Sequence, residues 1–380
     1  MMTDHQKDIV SQVNYSLRHR VTCGLIGRAG VGKSFCLRFI LDQMEKEFPI
    51  VCASPTHNAA KIFFESTDRH CATLASLLKK RKEIDFATGE VLFDPQITLD
   101  LRTYLIVIDE ASMVSEFDYN TLMTNFPRCV FLFVGDKGQL PPVKDEQFSI
   151  FDLNFPVFEL EVNMRCGTGN RIYDLIESIY DSNDLEKTLN EFEFGGNVKR
   201  IKESDLNSDD LIITYTNSQR QYYNQLILGD LPISGNTKFI ANENIAYDKK
   251  LKTYHLKNGE MFYPSSVSES SDRLSTGSFP FFFLKTKKKY VNYAPDRRVI
   301  NAQLEVYKSK KNWKDFYKLQ EKYPNVDLAY SMTSHKTQGC SFEYVSVDVK
   351  NILSIPDFKV RKSSLYVALS RASKELKLLM

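Results

Sequence analysis

Length alone indicates more than one domain, because 380 residues exceed what a single hydrophobic core usually organises. The 42% hydrophobic and 26% charged content excludes extensive disorder, while a formal net charge of +2 neither requires nor excludes a polyanionic partner. Seven scattered cysteines without C-x-x-C spacing argue against a disulfide framework or zinc site, and no secretion signal or membrane span is visible, so we expect a cytoplasmic protein with no membrane partner.

The first predicted element is a short helix over residues 8–17, with Gln6 just before or at its start. A glutamine in this place could hydrogen-bond an adenine edge. A surface polar residue is the ordinary alternative.

A phosphate-binding loop follows the first strand. The pattern G-x-x-x-x-G-K-[ST] is matched without a gap by Gly27, Arg28, Ala29, Gly30, Val31, Gly32, Lys33 and Ser34. An apolar strand precedes it and a helix-spaced segment follows it. In this motif backbone N–H groups surround a phosphate, Lys33 neutralises β- and γ-phosphate oxygens, and Ser34 ligates magnesium. The alternative, an accidental glycine turn, does not require the strand and helix, so we predict that ATP and Mg²⁺ bind here.

Three further buried strands end in polar loops, at residues 50–53, 104–108 and 130–134. The strand at residues 104–108 is followed directly by Asp109 and Glu110. In an NTPase the first carboxylate holds magnesium and the second orients the attacking water. Gln139, in the loop after the last strand, either senses a γ-phosphate or is an ordinary turn residue.

Residues 80–102 have the pattern of a β-hairpin that projects from the α/β unit, because two short apolar runs flank a turn with a glycine. A second α/β pattern covers residues 166–228 and 325–380. Between them, residues 229–324 indicate an inserted β module with a charged helix. The segment from Lys285 to Asp315 contains ten Lys or Arg and three acidic residues, which gives a net charge of +7. This charge suits either a solvated surface or a nucleic-acid contact.

Seven motifs occur in the order and spacing of one known family. They are GRAGVGKS, ASPTHNAAK, VIDEAS, GDKGQLPPV, NMR, TSHKTQG and YVALSRA, from Gly27 to Ala372. The set resembles the superfamily 1 DNA helicases of the RecD-like and phage Dda group, which move 5′→3′. One departure is Thr73-Leu74-Ala75-Ser76, where the family often has Thr-x-His-Ser.

The resemblance implies an α/β fold class with two RecA-like P-loop domains, whose parallel sheets are flanked by helices. Residues 1–165 would form the first domain and the two segments 166–228 and 325–380 the second. The hairpin would be a strand-separating pin, and residues 229–324 an SH3-like β module with a helical extension.

The resemblance also assigns roles to residues. Gln6 would read adenine, and Arg165 and Arg371 are the candidate arginine fingers. The expected nucleotide and catalytic set is Gln6, Gly27, Ala29, Gly30, Val31, Gly32, Lys33, Ser34, Asp109, Glu110, Gln139, Arg165, Gly339 and Arg371, with Ser34 and Asp109 on the metal. The expected DNA contacts are Pro55, Thr56, His57, Thr73, Thr333, His335 and Lys336, with Phe93 preferred over Phe86 as the wedge at the fork.

The predicted function is an ATP-dependent DNA helicase that translocates on single-stranded DNA and unwinds duplex DNA. The expected partners are single-stranded and fork duplex DNA, with a single-strand binding protein as a further candidate, and the chain is expected to be a monomer. Two alternatives are a nucleotide-binding, single-strand DNA assembly factor that does not unwind, and a small-molecule P-loop kinase. Glu110 discriminates, because a passive binder needs no carboxylate that orients water.

Overall fold

The computed structural model describes residues 2–84, 91–95, 102–142, 148–162, 164, 169–229, 231–248, 253–286 and 289–380. By contacts the chain forms two compact units. The first unit comprises Met1–Lys80, Pro95–Arg220 and Met332–Met380, and the second unit comprises Arg81–Asp94 and Gln221–Ser331.

The first sheet of the first unit has six strands that all pair in parallel. In chain order they are β1 (Cys23–Gly27), β2 (Ile50–Ser54), β3 (Cys71–Thr73), β6 (Leu105–Ile108), β7 (Val130–Gly135) and β8 (Val157–Leu160). In space the order is β3-β2-β6-β7-β1-β8. Alternate residues of β6 enter two different hydrophobic clusters, so both faces of the sheet are covered.

Five helices accompany this sheet. They are α1 (Asp4–Arg18), α2 (Lys33–Met44), α3 (His57–Thr67), α4 (Leu74–Leu77) and α5 (Glu116–Asn125). Helix α1 begins earlier than predicted, because Thr3 and Gln6 form a capping box in which each side chain satisfies the other's backbone N–H. The apolar stripe of α1 then faces the core.

The second sheet of the first unit has the order β19-β10-β20-β21-β9. Its strands are β9 (Val198–Ile201), β10 (Leu211–Thr214), β19 (Ser331–Thr333), β20 (Phe342–Asp348) and β21 (Ala372–Leu379). The pairs β10–β20, β20–β21 and β21–β9 are parallel. The accompanying helices are α6 (Arg171–Asp181), α7 (Leu185–Glu191), α11 (Ser334–Thr337), α12 (Val349–Leu353) and α13 (Phe358–Leu369).

The second unit consists mainly of short antiparallel strands. Helix α8 (Asn217–Leu228) begins in the first unit and ends in the second. The strands are β11 (Phe239–Ala241), β12 (Ile245–Asp248), β13 (Thr253–Leu256), β14 (Met261–Phe262), β15 (Ser266–Leu274), β16 (Gly277–Lys285), β17 (Tyr290–Tyr293) and β18 (Val326–Leu328), and the two helices are α9 (Arg298–Ser309) and α10 (Trp313–Lys322). Strands β4 (Lys80–Ile84) and β5 (Val91–Pro95) form a separate two-stranded sheet where the hairpin was predicted.

The parallel α/β sheets and the inserted β strands agree with the predicted fold class. The domain boundaries at residues 165, 228 and 324 remain predictions, and both parallel sheets fall in the first unit. Within the described ranges, no helix is long and apolar enough to cross a membrane.

Asn224 in α8 holds the link between β18 and β19. Its side-chain amide donates to the carbonyl of Leu328 at 3.0 Å and accepts from the N–H groups of Tyr330 and Ser331 at 3.0 and 2.8 Å. The side chain is 2% exposed, so water cannot replace these bonds.

Replacing Asn224 with alanine would leave three buried backbone groups without this hydrogen-bond partner. We therefore expect Asn224→Ala to lower the free energy of unfolding of the second unit by about 2–4 kcal/mol. The chain has one tryptophan, Trp313, which lies in the second unit, so urea unfolding followed by its fluorescence measures the effect. Gln225→Ala, at an exposed position of the same helix, is the control. Equal urea midpoints for the two variants would contradict the assignment.

Candidate nucleotide and nucleic-acid site

The phosphate-binding loop connects β1 directly to α2. Gly30 and Gly32 adopt positive φ angles of 93° and 87°, a region that glycine enters without strain. At Gly27 a Cβ atom would lie 2.7 Å from Val31 Cγ2 and 2.8 Å from the carbonyl oxygen of Leu160. Packing therefore requires a glycine at the start of the loop, and backbone geometry requires two more within it.

Lys33 is the first residue of α2 and its side chain folds back over the loop. The ammonium group donates to the carbonyl oxygens of Gly27 and, at 3.0 Å, Arg28. Ser34 follows on the exposed side of the first turn. The loop thus presents a cation and a hydroxyl at the N-terminus of a helix, which is the arrangement that favours an anion.

Asp109 and Glu110 follow the carboxyl end of β6, and the charge of Lys33 acts on Asp109. The N–H of Asp109 donates to the carbonyl of Ala53 on the neighbouring strand at 3.0 Å. Burial, and then the charge of Glu110, raise the pKa of Asp109 well above its ordinary value, and Lys33 offsets part of this effect. Glu110 has a φ of 53°, a left-handed conformation that is costly for a residue other than glycine.

The donor set near the loop suits magnesium better than a metal that proteins bind through many side chains. Among the described residues no group of three His, Cys, Asp or Glu side chains could hold a metal ion. Magnesium commonly uses one or two protein oxygens together with water and substrate phosphates. The desolvated Asp109 carboxylate and the Ser34 hydroxyl fit that requirement.

Gln139 is buried in the loop after β7. Its backbone N–H donates to the carbonyl of Asp136 at 3.2 Å, while its side-chain Oε1 accepts no hydrogen bond from any described residue. A buried amide with unused hydrogen-bonding capacity is costly unless a ligand completes it.

Gln6 lies against the phosphate loop, not at the surface. Its Nε2 donates to the carbonyl of Val31 at 3.1 Å, and its Oε1 accepts from the N–H of Thr3 at 3.1 Å. Both ends of the amide therefore have protein partners. The structure brings Gln6 to the loop, and its contact with adenine stays a prediction.

Arg371 follows α13 and is 6% exposed. Its guanidinium donates to the carbonyls of Thr337 at 3.3 Å and Cys340 at 3.0 Å, as well as to Val367 and Ser370. These contacts hold the loop that contains Gly339. At Gly339, with a φ of 68°, a Cβ would lie 3.0 Å from the Cβ of Ala59 in α3.

Tyr366 lies two turns into α13, and its contacts were not predicted from the sequence. Its hydroxyl accepts from the N–H of Ala29 in the phosphate loop at 2.8 Å and donates to Asp136 Oδ2 at 2.5 Å. The neighbouring loop residue Arg28 forms ion pairs with Glu177 and Asp181 of α6 at 2.5 and 2.9 Å. The motif YVALSRA contains this tyrosine, but nothing in the motif indicates which loop it would contact.

The expected DNA contacts of the first sheet lie where β2 and β3 end. Thr56 caps α3 by accepting from the N–H of Ala59, and Thr73 caps α4 by accepting from the N–H of Ser76. Pro55 and His57 flank Thr56 and are partly exposed. These residues share one edge of the sheet because parallel strands end there together.

The expected DNA contacts of the second sheet follow β19. Thr333 precedes α11, and His335 and Lys336 lie within it, all partly exposed. The ring of His335 is 5.7 Å from that of Tyr215, which follows β10.

Two predicted site residues have no described side chain. Arg165 lies outside the described residues. Phe93 belongs to β5, but its side chain lies outside the description.

Comparisons with known proteins agree with this geometry. A family model described as an AAA domain matches residues 1–202. The ATP-dependent DNA helicase dda of Enterobacteria phage T4 is 24% identical over 97% of this chain and 97% of its own.

Two solved structures show the same fold. Pif1 from Bacteroides bound to single-stranded DNA has a TM-score of 0.58 at 17% identity and covers 100% of this chain and 92% of its own. Pif1 helicase from Candida albicans has a TM-score of 0.55 at 17% identity and covers 100% of this chain and 94% of its own. The predicted fold class and the resemblance to superfamily 1 helicases are thereby confirmed.

Proposed function

Since the chain belongs to the AAA domain family, we propose that it is an ATP-dependent DNA helicase that translocates on single-stranded DNA in the 5′→3′ direction and unwinds duplex DNA. The observation that carries the proposal is the meeting of the phosphate loop with Asp109 and Glu110 at one sheet edge. The likeness to the phage T4 helicase over almost the whole of both chains supports the same activity.

ATP would bind in the loop, with Lys33 on the β- and γ-phosphates and the loop N–H groups around them. Ser34 and Asp109 would hold Mg²⁺, which supplies neutralisation of phosphate charge when bound. Glu110 would orient the attacking water and draw its proton, and the buried amide of Gln139 would detect the γ-phosphate. Gln6 would lie beside the adenine, and Arg371 or Arg165 would stabilise the charge that develops during hydrolysis.

Single-stranded DNA would cross the strand ends of both sheets. On the first sheet its sugar-phosphate backbone would contact Pro55, Thr56, His57 and Thr73. On the second sheet it would contact Thr333, His335 and Lys336. Contacts of this type with phosphates read no base sequence. Closure on ATP and opening after hydrolysis would then advance the strand.

Strand separation is assigned to the hairpin of β4 and β5, with Phe93 as the stacking wedge. We further propose that the chain acts as a monomer in the cytoplasm, that of the host if it is a phage protein, with a single-strand binding protein as a candidate partner.

An unwinding assay tests the proposal as a whole. We expect a duplex with a 5′ single-stranded tail to be unwound in the presence of ATP and Mg²⁺, because a 5′→3′ motor must load on that tail. Duplexes with a 3′ tail or blunt ends are the matched controls and should stay intact. Unwinding of the 3′-tailed duplex alone would reverse the polarity, and ATP hydrolysis without any unwinding would favour an assembly factor.

Lys33→Ala and Glu110→Gln separate binding from chemistry. Lys33→Ala should weaken ATP binding and abolish turnover, since the phosphate charge loses its cation. Glu110→Gln should leave ATP affinity nearly unchanged and lower hydrolysis by about 10²–10⁴-fold, because the amide cannot take a proton from water. Steady-state ATPase with single-stranded DNA and equilibrium nucleotide binding measure the two effects. Normal DNA-stimulated hydrolysis by Glu110→Gln would refute its role.

Arg371 should affect turnover more than affinity. We expect Arg371→Ala to lower kcat by on the order of 10²-fold, because one charged donor is removed from the transition state. Arg371→Lys should restore little, since an ammonium is a point charge that lacks the planar fork of donors with which the guanidinium contacts Thr337 and Cys340. Full activity of the lysine variant in the same ATPase assay would indicate that only the charge matters.

A further inference from the structure

The hydroxyl group of Tyr366 accepts a hydrogen bond from a backbone N–H group of the phosphate loop. Tyr366 is 1% exposed, and its oxygen is 2.8 Å from the backbone nitrogen of Ala29. Loop N–H groups of this motif are the donors that bind phosphate oxygens. A protein oxygen therefore accepts from a loop N–H group of the kind that binds phosphate oxygens.

We propose that Tyr366 is a positioning residue whose hydroxyl holds the place of a phosphate oxygen at Ala29 and is displaced from it when nucleotide binds. This inference rests on the proposed nucleotide binding at the same loop.

The hydroxyl is well suited to imitate a phosphate oxygen. It donates its proton to Asp136 Oδ2 at 2.5 Å, so the carboxylate polarises the phenol oxygen and makes it a better acceptor for Ala29. Asp136 is itself fixed, because its Oδ1 accepts from the N–H of Gly138 at 2.9 Å. After displacement from Ala29, the phenol would keep this anchor, so no buried polar group is left without a partner.

The contact also joins the phosphate loop to the helices of the second sheet. The ring of Tyr366 packs edge-on against Tyr180 of α6, with centroids 5.4 Å apart. Arg28 lies 3.8 Å above the Tyr180 ring and pairs with Glu177 and Asp181. Two consecutive loop residues are thus tied to α6 and α13.

When nucleotide binds and displaces the hydroxyl, one of these two contacts, the hydrogen bond between Ala29 and Tyr366, would break. Arg371 lies five residues after Tyr366, beyond the end of α13, and its charge acts on the Tyr366 phenol. The helix that loses its tie to the loop is therefore the one that leads to the candidate finger. We therefore expect displacement of the hydroxyl from Ala29 to couple nucleotide binding to the position of Arg371.

Tyr366→Phe tests the inference because it removes the competing oxygen and keeps the ring. When a ligand must break a protein hydrogen bond in order to bind, its binding free energy is less favourable by the free energy of that bond. We therefore expect Tyr366→Phe to bind ADP and a non-hydrolysable ATP analogue roughly two- to tenfold more tightly than the unsubstituted protein. Isothermal titration calorimetry without DNA measures both dissociation constants, and thermal unfolding checks that the variant is folded.

Tyr323→Phe is the matched control. Its hydroxyl is also buried and also donates to an aspartate, Asp272, at 2.6 Å, but it lies in the second unit. We expect it to leave both dissociation constants unchanged. A purely structural role for Tyr366 would lower the melting temperature without tightening either one.

Unchanged or weaker nucleotide binding by folded Tyr366→Phe would overturn the inference. Failure of the unsubstituted protein to bind either nucleotide would instead refute the proposed function. If Tyr366→Phe does not fold, Tyr366→Met provides the second measurement, since it also removes the hydroxyl, fills part of the space of the ring and leaves the charge of Asp136 in place. Tighter binding by this variant supports the inference, and equal or weaker binding contradicts it.

Discussion

The parallel pairing of the first sheet is the constraint on which the site depends. Parallel strands need crossover connections, and these return every strand with its carboxyl end at the same edge. Gly27, Asp109 and the loop that begins at Asp136 are distant in sequence and meet only for this reason. The sheet is buried on both faces, so a charged residue of the site can be accommodated only at that edge.

Much of this edge could be predicted from local sequence. The phosphate loop has a strict glycine pattern, and Asp109 and Glu110 follow a continuous apolar strand, so each motif carries its own structural context. A charged helix was also predicted within residues 229–324, and α10 lies there with Asn312 as its cap. In all these cases the deciding interactions lie within a few residues of one another.

The rest could not be predicted because it depends on distant partners. Strands β3 and β8 are short and lie at the two edges of the sheet, so they lack the apolar runs of the central strands. Helix α1 was predicted to start at residue 8 but begins at Asp4. The polar residues before residue 8 are helical because Thr3 and Gln6 form a reciprocal cap. The bond between Ala29 and Tyr366 joins residues 337 positions apart, and no local pattern identifies such a partner.

The close approach at Gly339 sets a steric limit on how far the two sheets can close. Its missing side chain leaves room for Ala59, whose Cβ would be only 3.0 Å from any methyl group added there. Motion toward tighter closure would therefore bring the backbone of this loop against α3. A single added methyl would move that contact outward by a few tenths of an ångström. The amplitude of a step along DNA would then be determined partly by the size of one residue in the loop that follows α11.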